Sequence, residues 1–205
     1  RRGTLNYIRM VLVSIVAPFQ LGHLSIDPSQ LGDNAATWMS TSGLLVAQAM
    51  APAAALEQSQ IAKLNLLTCG SGSTLAAFLA VQMKCNHVDV ILHPDEKQQL
   101  EEVLNKISSP TTINIISSPE QISGKHQYHM AAYGCDGEKP KSLNALEPLV
   151  KHLRHEGQLV LFGFPESDMQ ELFNDAADKG LSLRASGFRD GLAFFSGSLE
   201  SRNQF

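Results

Sequence analysis

From residue 64 onward the chain alternates between short apolar runs and longer segments whose apolar positions recur at helical spacing. Runs such as Leu-Asn-Leu-Leu and Leu-Val-Leu-Phe are typical of strands whose two faces are both buried, as in a parallel sheet. Strands that alternate with helical crossovers predict an α/β fold with a doubly wound, parallel, Rossmann-like sheet. The predicted strands cover residues 64–68, 88–92, 112–116, 126–132, 158–162 and 181–185, and the helices or turns between them cover 74–83, 95–107, 119–122, 142–155 and 167–178.

The segments outside this alternation have other patterns. Residues 4–16 are rich in β-branched and long apolar side chains and predict one or two strands, whereas residues 29–50 have helical spacing. Residues 51–61 predict an alanine-rich helix or loop, and residues 189–201 predict a short helical or irregular tail. We therefore expect two units, which are N-terminal strands at 1–33, the remnant of a catalytic domain, and a Rossmann-like nucleotide-binding domain at 34–205.

Composition and charge exclude several classes of function. A net charge of −4 without a run of Lys or Arg argues against nucleic-acid binding. No apolar run approaches the roughly 20 residues of a membrane span. Cys69, Cys85 and Cys135 are far apart and lack a Cys-x-x-Cys spacing, so a disulfide framework is not predicted and a reducing, cytoplasmic setting is expected. The chain starts without Met or a signal-peptide pattern, and we expect it to be a segment of a longer polypeptide.

Metal and nucleophilic chemistry have little support. His152 and His155 are three residues apart on the predicted helix at 142–155, which suits a metal ion, but a solvated pair is the simpler interpretation. No Gly-x-Ser-x-Gly motif is present. Cys69 has no evident basic partner, and a buried thiol is the simpler interpretation. No metal site and no nucleophile are predicted.

A glycine turn, Gly-Ser-Gly-Ser-Thr at residues 70–74, follows the first predicted strand of the alternation and opens its helix. Backbone N–H groups at such a helix N-terminus point towards a phosphate, and the helix dipole favours negative charge there. The dinucleotide fingerprint G-x-G-x-x-G requires a third small residue, whereas this chain has Leu75, followed by two alanines. The turn is a candidate cofactor site, and a tight turn that binds nothing is the alternative.

The residues at and beyond the end of the second predicted strand would lie near the ribose of such a cofactor. Asp89 has the spacing of a ribose-binding acid, roughly 20 residues beyond the first glycine, but it lies inside the strand, where it cannot easily reach a ligand. Beyond the strand, Lys97 together with His93 provides positive charge for a 2′-phosphate, which favours the phosphorylated cofactor. Asp95 is equally well explained as a helix N-cap.

Several segments occur in an order that resembles a known family. They are Ala-Ala-Thr-Trp-Met-Ser-Thr-Ser-Gly-Leu-Leu at 35–45, the glycine turn within 64–77, Pro-Asp-Glu-Lys at 94–97, Leu-Arg-His-Glu-Gly-Gln-Leu-Val-Leu-Phe-Gly at 153–163 and Ser-Gly-Phe-Arg-Asp-Gly-Leu-Ala-Phe-Phe at 186–195. Together they resemble the nucleotide-binding half of a medium-chain dehydrogenase/reductase. The closest likeness is to the enoyl reductase domain of animal fatty acid synthases and polyketide synthases.

The resemblance implies an oxidoreductase that reduces an acyl-chain enoyl thioester with NADPH. It also implies a multidomain synthase whose neighbouring domains are the partners, and a homodimer is a further candidate assembly. The implied cofactor-binding residues are Gly70, Ser71, Gly72, Ser73 and Thr74 in the phosphate turn, His93 and Lys97 at the 2′-phosphate, and Phe162 and Gly163 beside the nicotinamide.

Departures from the family pattern affect the expected activity. The family has a substrate domain of roughly a hundred residues before the nucleotide-binding half, whereas only residues 5–33 precede it here. The family's tyrosine proton donor has no matching position. Hydride transfer needs donor and acceptor at about 3–3.5 Å in a water-poor cleft. We therefore expect a catalytically inactive, structural pseudo-domain without catalytic residues, and an NADPH-binding reductase that uses a substrate domain supplied elsewhere is the alternative.

A second alternative is an S-adenosylmethionine (SAM)-dependent methyltransferase. Such enzymes also follow a first strand with a glycine turn, and they place an acid at the end of the second strand on the ribose of SAM. Gly70, Gly72 and Asp95 would serve, and residues 126–132 would be the fourth strand near the methyl group. The segment 94–97 and the Phe-Phe pair near the end of the chain favour the reductase.

Overall fold

The computed structural model describes residues 18–34, 46–122, 127–135, 147–163, 165–168, 170–171, 174, 183–189 and 192–197. The strands are β1 (Phe19–Leu21), β2 (Leu24–Ile26), β3 (Asn65–Gly70), β4 (His87–Ile91), β5 (Thr112–Ile116), β6 (Tyr128–Gly134), β7 (Leu153–Phe162), β8 (Leu183–Arg189) and β9 (Leu192–Gly197). The helices are α1 (46–54), α2 (Gln58–Ile61), α3 (Ser73–Gln82), α4 (Pro94–Leu104) and α5 (Glu147–Val150). Short 3-10 helices cover Pro28–Asn34, Pro119–Gln121 and Glu166–Asp168.

Seven strands form one sheet in the order β5-β4-β3-β6-β7-β9-β8. Strands β3, β4, β5, β6 and β7 all run parallel to one another. Strand β9 is antiparallel to both β7 and β8, so β8 has the same direction as β7. The carboxyl ends of β3 to β7 therefore meet at one side of the sheet, which we call the carboxyl edge. Strands β1 and β2 form a separate antiparallel hairpin.

The main core lies between the sheet and α3. Helix α3 is buried at every position from 73 to 81, as expected for a helix that is apolar on all sides. It packs against β3, β4 and β6 on one side and contacts β2 of the hairpin on the other. Helix α4 is amphipathic and buries only Leu100 and Val103. No helix within the described residues is long and apolar enough to cross a membrane.

The structure confirms the predicted Rossmann-like α/β fold with a mostly parallel sheet. Two local predictions are wrong. The predicted helix at 142–155 ends early, because β7 begins at Leu153, which pairs with Tyr128 of β6, so His152 and His155 do not share a helix. The predicted tail at 189–201 contains β9. The predicted strands at 4–16 lie outside the described residues, and the division at residue 33 stays a prediction.

Candidate functional site

The candidate site lies at the carboxyl edge, where β3 turns into α3. Gly70 (φ +76°) and Gly72 (φ +75°) both adopt the left-handed conformation, which glycine enters without a steric penalty. The Ser71 N–H donates to the Gly134 carbonyl oxygen at 3.1 Å and ties the turn to the end of β6. The sequence-predicted turn therefore lies where open α/β sheets bind their ligands, outside the carboxyl ends of the strands.

Glycines end three neighbouring strands of this edge because their backbones touch there. An added Cβ would lie 2.3 Å from the Gly134 oxygen at Gly70, 1.6 Å from the Ser71 oxygen at Gly134, and 2.2 Å from the Cys135 oxygen at Gly163. No side chain fits at these distances. We call Gly70, Gly134 and Gly163 the glycine row. Sequence reasoning found two of them and missed Gly134, although a glycine two residues beyond the predicted fourth strand was a usable signal.

The start of α3 holds a buried hydroxyl group without a partner. Ser73 is 1% exposed, and its Oγ has no hydrogen-bond partner among the described residues. Gly72 is the N-cap and supplies no side-chain acceptor, and the first N–H groups of a helix have no carbonyl partner within it. The Thr68 hydroxyl donates to the Ser73 carbonyl at 3.5 Å and anchors the helix start to β3. Backbone donors, the helix dipole and the Ser73 hydroxyl together suit a negatively charged ligand group.

Leu75, which stands at the third position of the dinucleotide fingerprint, does not disturb this turn. Its side chain is buried in the main core together with the two alanines that follow it. Thr74 is also buried. The turn therefore keeps its shape without a third glycine.

The junction of β4 and α4 is acidic at the carboxyl edge. His93 caps α4 through Nδ1, which accepts from the Asp95 N–H at 3.5 Å and lies 3.2 Å from Asp95 Oδ2. The Asp95 side chain is 88% exposed. Lys97 Nζ lies 3.8 Å from Glu101 Oε1, one turn further along the helix. Lys97 and the His93 ring, which were predicted to bind a 2′-phosphate, therefore each lie beside a carboxylate of α4.

The two residues predicted at the end of β7 have different surroundings. Phe162 is buried in the main core, and its Cε2 lies 2.8 Å from the Cβ position at Gly134. Its ring therefore supports the glycine row from below and is out of reach of a ligand. Gly163 (φ +69°) continues the row at the surface of the edge. The Cys135 N–H donates to the Phe162 carbonyl at 2.7 Å, so the ends of β6 and β7 are held together.

A buried polar network joins β4 to β6 away from this edge. His87 Nε2 lies 3.0 Å from Asp89 Oδ2, and the Tyr128 hydroxyl donates to the same oxygen. Burial, together with the hydrogen bond to Asp89, raises the pKa of Tyr128 above its usual range. Asp89 is 1% exposed, which confirms that it lies inside the strand and away from a ligand. The sequence analysis did not predict this network, although the acidic residue in the middle of His-Val-Asp-Val-Ile indicated it.

The cysteines do not provide a nucleophile. All three are buried and none forms a disulfide. Burial raises the pKa of Cys69, and the neighbouring Cys135 adds to the effect. Burial also raises the pKa of Cys85 to about 12. The structure thus confirms Cys69 as a buried thiol. Across the described part of the chain no group of three His, Cys, Asp or Glu side chains is arranged to hold a metal ion.

Comparison with known proteins finds methyltransferases among the solved structures of similar fold. No protein-family model matches the chain, and no curated protein matches its sequence. The ribosomal protein L11 methylase from Lactobacillus delbrueckii subsp. bulgaricus is similar with a TM-score of 0.57 and 16% identity, over 76% of this chain and 78% of that chain. The N-methyltransferase NodS from Bradyrhizobium japonicum WM9, in complex with S-adenosyl-L-homocysteine, is similar with a TM-score of 0.52 and 14% identity, over 92% of this chain and 97% of that chain.

These findings overturn the resemblance to medium-chain dehydrogenases/reductases. A dinucleotide-binding sheet is built from two parallel βαβαβ halves, whereas here the antiparallel β9 lies between β7 and β8. The segment 186–195, which supported the reductase, belongs to β8 and β9. The structural enoyl-reductase pseudo-domain, the fatty acid or polyketide synthase context and NADPH as cofactor are therefore wrong. The fold is one that methyltransferases have.

Proposed function

We propose that this domain binds SAM at the carboxyl edge and acts as a methyltransferase-type domain. The β3–α3 turn carries the proposal, because two left-handed glycines lead into a helix whose start holds a buried hydroxyl without a partner among the described residues. NodS, a methyltransferase of similar fold, has been solved with S-adenosyl-L-homocysteine, which is SAM without its transferable methyl group. The likeness supports a ligand of this class at the corresponding edge.

The helix start fits the amino-acid end of SAM. That end carries a carboxylate, and the first N–H groups of α3 are donors that the helix itself leaves without partners. The Ser73 hydroxyl is buried beside them without a partner among the described residues, so the turn has to open for a ligand to reach its Oγ. A buried polar group without a partner costs about 1–3 kcal/mol, so a ligand acceptor that satisfies it gains binding energy. Ser73 and the helix dipole would then hold the carboxylate.

The β4–α4 junction fits a ribose better than a phosphate. Asp95 is exposed in the first turn of α4, at the end of the strand that pairs with β3. A carboxylate accepts hydrogen bonds from two neighbouring hydroxyls, whereas it repels a phosphate. SAM has a ribose with both hydroxyls unmodified and carries no phosphate. Asp95 would therefore hold the ribose, and its charge selects against the phosphorylated dinucleotide.

The glycine row lets the backbones at the ends of β3, β6 and β7 approach one another closely, so no side chain stands between these strand ends. When bound, SAM supplies an electrophilic methyl group on a sulfonium, which an acceptor takes as S-adenosylhomocysteine leaves. Cys69 does not suit the role of acceptor, since burial raises its pKa and keeps the thiol protonated. We therefore expect the acceptor to be a separate molecule. The buried thiols also support a reducing compartment, namely the cytoplasm.

Equilibrium binding of SAM, S-adenosylhomocysteine and NADPH to the whole chain tests the proposal. We expect the two adenosyl compounds to bind with micromolar dissociation constants and NADPH not to bind. At a ligand concentration of about 100 times the dissociation constant, the free energy of unfolding rises by about 2.7 kcal/mol. A thermal-unfolding series in each compound therefore reports binding independently of methyl transfer.

Two outcomes would contradict the proposal. One is a folded protein that binds neither adenosyl compound at millimolar concentration. The other is NADPH binding as tight as SAM binding, because it would show that the acidic β4–α4 junction does not select the ligand.

A further inference from the structure

Strand β5 forms one end of the seven-stranded sheet. The Thr112 N–H donates to Asn86, and the Ile116 carbonyl accepts from Leu92, each at 3.0 Å, so these two ends of β5 face β4. Backbone groups of successive strand residues point to opposite sides. The N–H and C=O groups of Ile113 and Ile115 therefore point away from the sheet, and no strand of the described residues pairs with that side.

Side chains satisfy the backbone at both ends of this edge and leave its middle open. The Thr111 N–H donates to Ser109 Oγ at 3.3 Å, and the Ser117 N–H donates to Gln121 Oε1 at 2.7 Å. Between these two capped positions lie the outward groups of Ile113 and Ile115. The open length is therefore two outward-facing residues, enough for four backbone hydrogen bonds in an antiparallel pair.

We propose that the β5 edge pairs antiparallel with β5 of a second copy of this chain, about a two-fold axis at Asn114. In this register Ile113 faces Ile115 of the partner, and both are residues whose backbone groups point outward. Asn114 faces its own counterpart as a non-hydrogen-bonded pair. The four open backbone groups of each copy are then satisfied by the same four groups of the other, which is the self-complementarity that a two-fold interface requires.

The side chains of β5 agree with this register. Ile113 and Ile115 are half-buried and share one face, where they line an open cavity of about 450 Å³ whose other side includes Lys97 and Glu101 of α4. Thr112 and Asn114 are exposed on the other face. Residues directly opposite each other in an antiparallel pair share a face. Isoleucine therefore meets isoleucine over the cavity, and asparagine meets asparagine on the polar side.

The charge pattern favours pairing of this edge. Sheet edges that stay single are commonly protected by lysine, proline or inward-pointing charges within the strand. Residues 107–119 contain no charged side chain, and the two prolines of this segment lie outside β5. Nothing within the strand therefore opposes the approach of a second copy.

Cysteine cross-linking across the axis tests the register. In Asn114→Cys the two introduced residues lie about 4.5 Å apart between Cα atoms, within the range for a disulfide. In the matched control Thr112→Cys, each residue faces Ile116 of the partner, and the two cysteines lie about 13 Å apart. The native cysteines are buried. Under mild oxidation we expect a covalent dimer from Asn114→Cys and none from Thr112→Cys.

Charge reversal at the axis tests the pairing in solution. We expect sedimentation of the wild-type chain to show a concentration-dependent dimer, and Asn114→Lys and Asn114→Glu each to be monomeric because like charges then face each other. An equimolar mixture of the two variants should dimerise again. A wild-type chain that stays monomeric to about 1 mM (a dimer weaker than about −4.1 kcal/mol) overturns the proposal. So do equal cross-linking of both cysteine variants and failure of the mixture to associate.

Discussion

Two strand-to-helix junctions lie side by side at the carboxyl edge and differ in almost every property. The β3–α3 junction consists of left-handed glycines and a buried serine, and its hydrogen-bonding groups are mainly backbone donors. The β4–α4 junction, one strand away, is exposed and presents a histidine, a proline and an aspartate. Only the second has charged side chains. The two junctions are therefore complementary, since one offers donors and the other offers an acceptor.

This difference shows how a single edge can distinguish ligands that share an adenosine. A dinucleotide needs donors at the pyrophosphate and, in the phosphorylated form, cations at the ribose. SAM needs donors at its carboxylate and an acceptor at its ribose. The donor junction alone suits both, so under the proposed function the acidic junction would decide between them. The predictions below change one junction at a time.

The largest effect is expected from Gly70→Ala in the donor junction. The left-handed conformation costs a non-glycine residue about 1–2 kcal/mol, and the new Cβ would also lie 2.3 Å from the Gly134 oxygen. We expect the free energy of unfolding to fall by about 3 kcal/mol or more, measured by urea unfolding. In the control Gly32→Ala φ is also positive (62°, with ψ −137°) but no atom lies within 4 Å of the new Cβ, so we expect only the backbone cost of about 1–3 kcal/mol, without a contact added to it. Equal losses would show that contact with β6 does not fix the turn.

A smaller effect is expected from Ser73→Ala, which should lower the affinity for SAM without lowering the stability of the ligand-free protein. Loss of a hydrogen bond to a charged group costs about 1.5–3 kcal/mol, so the affinity for SAM should fall about 10- to 100-fold. The ligand-free protein should be as stable as the wild type or slightly more stable, because a buried hydroxyl without a partner is removed. Calorimetric titration and urea unfolding measure the two quantities. A ligand-free protein destabilised by more than about 1 kcal/mol would mean that the hydroxyl has a structural partner.

The smallest effect is expected from the acidic junction. Asp95→Asn keeps an acceptor oxygen but removes the charge, and we expect SAM to bind about five- to ten-fold more weakly, which is about 1 kcal/mol. Glu96→Gln removes the same charge from the same first turn of α4, and the loss of its interaction with the helix dipole is similar. We expect Glu96→Gln to change the affinity less than two-fold. Equal effects of the two variants would indicate long-range charge and no direct contact with Asp95.

The strands of the parallel part of the sheet were predictable from the sequence because they are short segments rich in apolar and β-branched residues that alternate with helical segments. The residues from Leu153 to Glu156 were not, because their local pattern is helical and only the pairing with Tyr128 makes them extended. Strand β9 is short and follows a glycine. Its partner is β7, and residues 163–191 separate the two strands along the chain. Local sequence patterns do not indicate a partner at such a distance.

The candidate site was also predictable from the sequence only in part. The glycine turn was predictable because its conformation is dictated by local backbone requirements at Gly70 and Gly72. The class of cofactor was not, since donor turns of this kind serve several ligands and the order of strands is set by non-local contacts. Gly134 was missed because it must be glycine to accommodate the Ser71 oxygen of the β3–α3 turn, which is distant in sequence.

The position of β9 also bears on how the chain folds as it is synthesised. It is the last of the described strands along the chain, yet it lies inside the sheet and separates β7 from β8. While the ribosome still holds the residues after 191, β8 has no neighbour to pair with, and the outer side of β7 stays open. We therefore expect the sheet of the nascent domain to be completed last at this side, where β8 and β9 join the parallel strands.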